Sequence, residues 1–208
     1  MPTLLSFIDL MGIAVFAISG SLVASRKEMD LIGFGLMASL TGIGGGTFRD
    51  IVLGRPVFWL ETPYHVGICL AVAVLVYFTA HILHRRFIYI LWADGIGISA
   101  YCVVGADVAL RSGANELVAV ILGVMTATFG GLARDVVCHE TPLILRKEVY
   151  ATCTLLGSSV YVGLKFLDVP TPWPAFAAFV VGFGVRAGGI VYGWTLPTYH
   201  ARAGEDYE

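Results

Sequence analysis

"TGIGGGTFRD" (residues 41–50) and "TATFGGLARD" (residues 126–135) are the two stretches on which the fold turns. Each sets glycines and an Arg-Asp pair inside an otherwise apolar run, where backbone needs helix and charge needs water. A shift of 85 residues superposes them without a gap: Thr41 falls on Thr126, Gly45 and Gly46 on Gly130 and Gly131, and Arg49-Asp50 on Arg134-Asp135. In the same frame Asp9 falls on Asp94, Gly12 on Gly97, Ile13 on Ile98 and Gly20 on Gly105. A charged pair and an aspartate forty residues upstream do not fall into one frame by glycine content alone. The chain therefore carries an internal duplication.

Hydrophobic residues make up 57% of the chain and charged residues 13%, against about 25% charged in soluble domains. The apolar runs are about 18 to 24 residues long, close to the roughly 20 that a helix needs to cross hydrocarbon, and lack the alternation of a transmembrane barrel. The expected architecture is an all-α integral membrane protein with seven transmembrane helices: Leu5–Ala24, Leu31–Leu53, Tyr64–Leu83, Phe87–Leu110, Glu116–Cys138, Glu148–Leu167 and Pro174–Trp194. The N-terminus lacks the basic region and cleavage site of a secretory signal, so the first run is expected to be retained as a span. Short connectors and a short polar tail leave no room for an extramembrane catalytic or sensor domain, and function is expected within the bilayer.

The duplication divides the chain into residues 1–86, a first three-helix repeat, residues 87–170, a second, and residues 171–208, the seventh helix and tail. An odd number of spans per repeat makes the second copy enter from the opposite side, so the repeats are inverted. Such proteins commonly place permeation or substrate sites where the repeats meet, on broken helices. Basic residues set the orientation. With the N-terminus outside, Arg26, Lys27, Arg85, Arg86, Arg146, Lys147 and Arg202 face the cytoplasm, against Arg55, Arg111 and Lys165 outside. The C-terminus is then cytoplasmic and the protein belongs in the cell's inner membrane.

Three consecutive glycines favour a kink or break, and the freed backbone groups are tolerable only beside protein or a hydrated space. Thr41, Thr47, Thr126 and Thr128 offer hydroxyls to freed carbonyls. The competing reading is close helix packing, which the four-residue spacing of Gly42 and Gly46 fits. The charged pair following in both copies favours a hydrated path. Arg49 stands about 27 Å along its span, so snorkelling to the headgroups competes with a cavity role, but Ile51–Leu53 continue the apolar run beyond it. Neighbours on a helix point apart, so a partner for each arginine is sought on another span. Asp9 and Asp94, near the starts of the first and fourth spans, read as helix N-terminal acids favoured by the dipole, with direct ion contact as the alternative. Arg186 has no counterpart and is open to three readings: interior charge, headgroup anchor or interface residue. Trp59, Trp92, Trp173 and Trp194 read as interfacial anchors.

Cys69, Cys102, Cys138 and Cys153 lie in or at the ends of spans with no CxxC pair, and read as buried small hydrophobes rather than disulfides or metal ligands. There is no GKS or GKT ending for a phosphate loop, no HExxH and no GxSxG. No enzyme activity, cofactor, metal or nucleic-acid partner is expected.

On "GIGGGTFRD" in the second span, "FGGLARD" in the fifth and the seven-span plan, nearly the whole chain resembles the trimeric intracellular cation channels, in their bacterial and archaeal branch. The resemblance implies a homotrimer in which each subunit encloses a pore for potassium and also sodium ions, lined by second and fifth helices kinked at their glycines. Carried over, the pore and hinge residues are Gly44, Gly45, Gly46, Thr47, Arg49 and Asp50 in one copy and Thr128, Phe129, Gly130, Gly131, Arg134 and Asp135 in the other. Phe129 departs from the pattern, standing where a third glycine is expected, and its ring is expected to make a shallower kink and a narrower path. Membrane lipids are further expected partners: animal members bind an anionic phosphoinositide near basic residues of the fifth helix, the place of Arg134. The alternative is a secondary transporter of a small solute such as glycine, since broken helices in inverted repeats serve alternating access equally well.

Overall fold

The computed structural model describes residues 4–82, 86–146 and 148–196. Arg85, Lys147 and Arg202, three of the residues used above for orientation, lie outside the described residues, as do the span end Leu83, the polar tail and the side chain of Arg86. Among the described residues all regular structure is helical: α1 (Leu4–Arg26), α2 (Leu31–Val52), α3 (Phe58–Glu61), α4 (Tyr64–Thr79), α5 (Arg86–Arg111), α6 (Glu116–Val137), α7 (Ala151–Phe166) and α8 (Pro172–Tyr192), with 3-10 turns at Ala80–Ile82 and Leu143–Leu145. Six segments are long and apolar enough to cross a membrane, those built on α1, α2, α4, α5, α6 and α8. The chain is a multi-pass membrane protein. The sixth expected span begins later than the apolar pattern suggested, because Glu148–Tyr150 are not helical and α7 has 16 residues, about 24 Å of helix.

The two central helices, α1 and α5, are the most deeply buried. Around α1 pack α2 and α4; around α5 pack α6, α7 and α8, and the two groups meet through α1 with α5 and α2 with α6. Close approach at these meetings comes from small residues. A Cβ on Gly12 would lie 2.5 Å from the Tyr101 ring, and one on Gly97 would lie 2.8 Å from the Phe16 ring. These contacts are reciprocal, since Gly97 and Tyr101 stand 85 residues after Gly12 and Phe16.

The same offset recurs at helix ends. Asp30 caps α2 by accepting from the Gly33 amide at 2.8 Å, and Asn115 caps α6 by accepting from the Val118 amide at 2.9 Å; both satisfy an amide that the first turn leaves free. After α2 the chain turns through Gly54 in the left-handed region, and after α6 through His139. The connectors, expected to be plain loops, then form α3 at Phe58 and a 3-10 turn at Leu143, again 85 residues apart.

Candidate functional site

Helices α2 and α6 carry the duplicated motifs, and both remain α-helical throughout them. Of the expected kink or break, the break is therefore not present. Glycine has a different job here. A Cβ on Gly45 would collide with the Thr126 carbonyl oxygen, one on Gly130 with the Thr41 carbonyl oxygen, and one on Gly44 would lie 3.8 Å from the Gly130 Cα. The two backbones touch at this point, as small residues permit in membrane helix pairs. Gly46 makes room for the Phe58 ring, 2.6 Å from where its Cβ would be, and Gly131 for the Tyr150 hydroxyl at 3.0 Å.

The threonines do not serve freed carbonyls. Thr41, Thr47, Thr126 and Thr128 donate to Met37, Ile43, Leu122 and Val124 respectively, one turn back on their own helices, a common use of a helical hydroxyl in an apolar medium. Thr47 also accepts from Trp59 Nε1 at 2.9 Å, which ties the partly buried Trp59 to α2. Phe129 stacks on Phe48 with centroids 4.2 Å apart. With Thr47, Gly44 and Ile43 these rings line an apolar groove of about 430 Å³.

Both arginines are buried, Arg49 at 4% exposure and Arg134 at 1%, so neither snorkels. Contrary to the expectation that neighbours point apart, each closes onto its own aspartate. Arg49 Nη2 and Arg134 Nη2 each lie 2.8 Å from Oδ1 of Asp50 and Asp135, and Nε of each donates to the same oxygen. The second carboxylate oxygen accepts a backbone amide 8 residues on: Phe58 to Asp50 at 2.9 Å and Leu143 to Asp135 at 3.0 Å. The two connectors are thus tied to the ends of α2 and α6 by charge-assisted bonds.

Beyond this shared frame the centres differ. Arg134 also donates to Asp94 of α5 at 2.9 Å and to Ser19 of α1 at 2.5 Å. Asp94 is the ninth residue of α5 and fully buried, not a helix N-terminal acid. Arg134 thus donates to two carboxylates and a hydroxyl within the protein. Arg49, among the described residues, forms its ion pair and hydrogen bonds with Asp50, and its guanidinium carbon lies 5.7 Å from the Phe58 ring centre. Asp9, sixth in α1, faces His65 Nε2 at 3.8 Å. It opens onto a cavity of about 560 Å³, bounded also by Leu53, Arg55, Val104, Asp107 and Arg111.

Arg186 is an interior charge: it is fully buried, donates to Glu148 at 2.8 Å, and lies 5.2 Å from the Tyr150 ring centre. The sequence reading missed Ser19, Tyr150 and Glu148, and also Tyr101, whose hydroxyl donates to the Gly42 carbonyl at 3.1 Å across α5 and α2. The 85-residue offset was the one available signal: it relates Phe58 to Leu143, and His65 beside Asp9 to Tyr150 near Asp94. All four cysteines are free and buried, and no cluster suited to a metal ion occurs among the described residues.

Against known proteins, a family model described as "Glycine transporter" matches residues 6–81 and 91–165, two segments in the same 85-residue frame. A UPF0126 membrane protein of Vibrio cholerae is 35% identical, over 95% of this chain and 83% of that protein. The UPF0126 inner membrane protein YadS of Escherichia coli is 34% identical, over 94% and 96%. Among solved structures, a trimeric intracellular cation channel orthologue from Rhodobacter sphaeroides matches with TM-score 0.90 and 47% identity, over 92% of this chain and all of that one.

Proposed function

This chain belongs to the bacterial branch of the trimeric intracellular cation channel family, and from that premise we propose that it is a potassium-permeable channel with one pore inside each subunit of a homotrimer. The observation that carries the reading is the pair of buried Arg-Asp centres joined through the α2–α6 crossing. Ionisable groups inside a membrane span are rare, face the bundle interior or a water-filled cavity, and mark transport paths. The reciprocal contacts of Gly45 with Thr126 and Gly130 with Thr41 support two inverted three-helix repeats, with α7 as a seventh crossing beside α8.

In this reading the conformation described above is the closed one. The threonine hydroxyls are spent within their helices and the glycine backbones are in contact, so no row of oxygens faces an ion. Opening parts α2 from α6 at Gly44–Gly46 and Gly130–Gly131, where the absence of side chains makes bending easiest. Freed carbonyls and hydroxyls then replace part of a cation's hydration, enough to admit it but not to hold it. Asp50 and Asp135 keep the arginines neutralised so that they do not repel the ion. The Asp9 cavity is the mouth on the N-terminal, outer side of the inner membrane, and sodium permeates as well.

The test is current against voltage from purified protein in a planar bilayer, with potassium chloride at different concentrations on the two sides. Discrete openings reversing near the potassium equilibrium potential are expected. Silence together with saturable, gradient-driven uptake of glycine into matched liposomes would replace the channel with a secondary transporter.

A further inference from the structure

Ser19 of α1 is buried and receives the Arg134 guanidinium, as does Asp94. Carrying the 85-residue frame across, the place of Ser19 beside the other arginine falls to Val104, and that of Asp94 to Asp9. Valine has no acceptor. Asp9 keeps 23% of its side chain exposed and faces His65, while Val104 and Asp9 together border the 560 Å³ cavity. One arginine is thus hydrogen-bonded by two carboxylates and a hydroxyl from three helices, and the other, among the described residues, by the single carboxylate next door, with Asp9 within electrostatic reach but not bonded to it. The frame is otherwise kept closely: the aspartate, the amide bond to the connector, the glycine contact and the cap all recur.

We infer that Ser19 and Val104 are positioning residues that make the two centres unequal, so that Arg49 is the arginine released when the pore opens while Arg134 stays anchored. The inference rests on the channel reading for its consequence, but the inequality itself is a property of the fold. Releasing Arg134 means parting it from two buried carboxylates, and a charge left unpaired in a dry interior is strongly disfavoured. Releasing Arg49 breaks its bonds to one carboxylate, and Asp9, which attracts it and borders the cavity, is there to receive it. The conformational change is then polarised: it starts at the Asp9 side of the molecule, and the Arg134 side serves as its fixed base.

Hydrogen exchange of the full-length protein in detergent, read over peptides spanning residues 47–56 and 132–141, separates the two centres. In the unaltered chain the amides around Arg49 are expected to exchange about tenfold faster than those around Arg134, as for the loss of one charge-assisted bond. Val104→Ser is expected to slow the Arg49 region alone, Ser19→Val to speed the Arg134 region alone, and the double variant to reverse the order. Ser19→Thr, which keeps the hydroxyl, restores the original pattern; a merely structural role would not produce the reversal. Equal exchange at the two centres in the unaltered chain, or single variants that shift both regions together, overturns the inference. Bilayer recordings of the same variants bear on the channel reading separately. Lower open probability in Val104→Ser at unchanged conductance joins the two, whereas a silent unaltered protein with the expected exchange order removes the channel and leaves the unequal anchoring standing.

Discussion

Arg134 Nη1 lies 2.9 Å from Asp94 Oδ1, joining α6 to α5 through two side chains that solvent does not reach. The corresponding residues 85 positions earlier are not joined in this way: Arg49 pairs with Asp50, and Asp9 turns to His65. The duplicated motif thus ends in two different electrostatic environments, with different consequences for substitution.

Asp94→Asn removes one of the two carboxylates that balance a buried guanidinium. Breaking such a pair destabilises by about 3–5 kcal/mol, so a large fall in thermal unfolding temperature is expected in detergent. Asp9→Asn, at a partly exposed site, is expected to change stability by less than about 1 kcal/mol. Equal effects would mean that the burial of Asp94 is not what sets its contribution.

Gly45→Ala and Gly130→Ala each place a methyl against a carbonyl oxygen of the facing helix, a backbone atom that cannot step aside. Both are expected to weaken the α2–α6 contact, read as lower thermal stability and altered channel current. Gly67→Ala and Gly163→Ala meet nothing within 4 Å. These are expected to be neutral or to stabilise by up to about 1 kcal/mol through helix propensity. A neutral Gly130→Ala would undo the close-contact account.

Arg49→Ala leaves the buried Asp50 carboxylate, among the described residues, with the Phe58 amide alone, and Asp135→Asn takes one of the two carboxylates that balance Arg134. Each is expected to change conductance or open probability in single-channel records. Normal records from both, at normal protein yield, would remove the arginine centres from the conduction mechanism.

Arg186 and Glu148 tie α8 to the segment ahead of α7. Glu148→Ala strands a fully buried arginine and is expected to destabilise by about 1–3 kcal/mol, reduced from the fully buried case because Glu148 is partly exposed. Adding Arg186→Met, an apolar side chain of comparable reach, is expected to recover most of that loss. A double variant less stable than Glu148→Ala alone would mean that Arg186 contributes more than its charge pairing.

Membrane residence, most span positions and the duplication were legible before any coordinates. Hydropathy is a property of consecutive residues, and a repeat needs only self-comparison. Cysteine burial followed from the same apolar context. The misreadings were of another kind. Gly44, Gly45 and Gly46 were compatible with a broken helix or a close crossing, and only the presence of Gly130 and the Thr126 carbonyl opposite them decides for the crossing in this conformation. That Phe129 stacks on Phe48 was not legible, because the two rings belong to different helices.

By itself the sequence determined the solvent, the helical class and the twofold repetition of a glycine-rich segment ending in Arg-Asp, because these follow from local composition and from order along the chain. What only the tertiary structure decided is which arginine is locked. Asp94 lies 40 residues from Arg134 and Ser19 lies 115 away, and the bonds among them exist because α1, α5 and α6 pack side by side. In a medium that cannot solvate charge, the state of a buried arginine is set by whichever acceptors packing brings within reach.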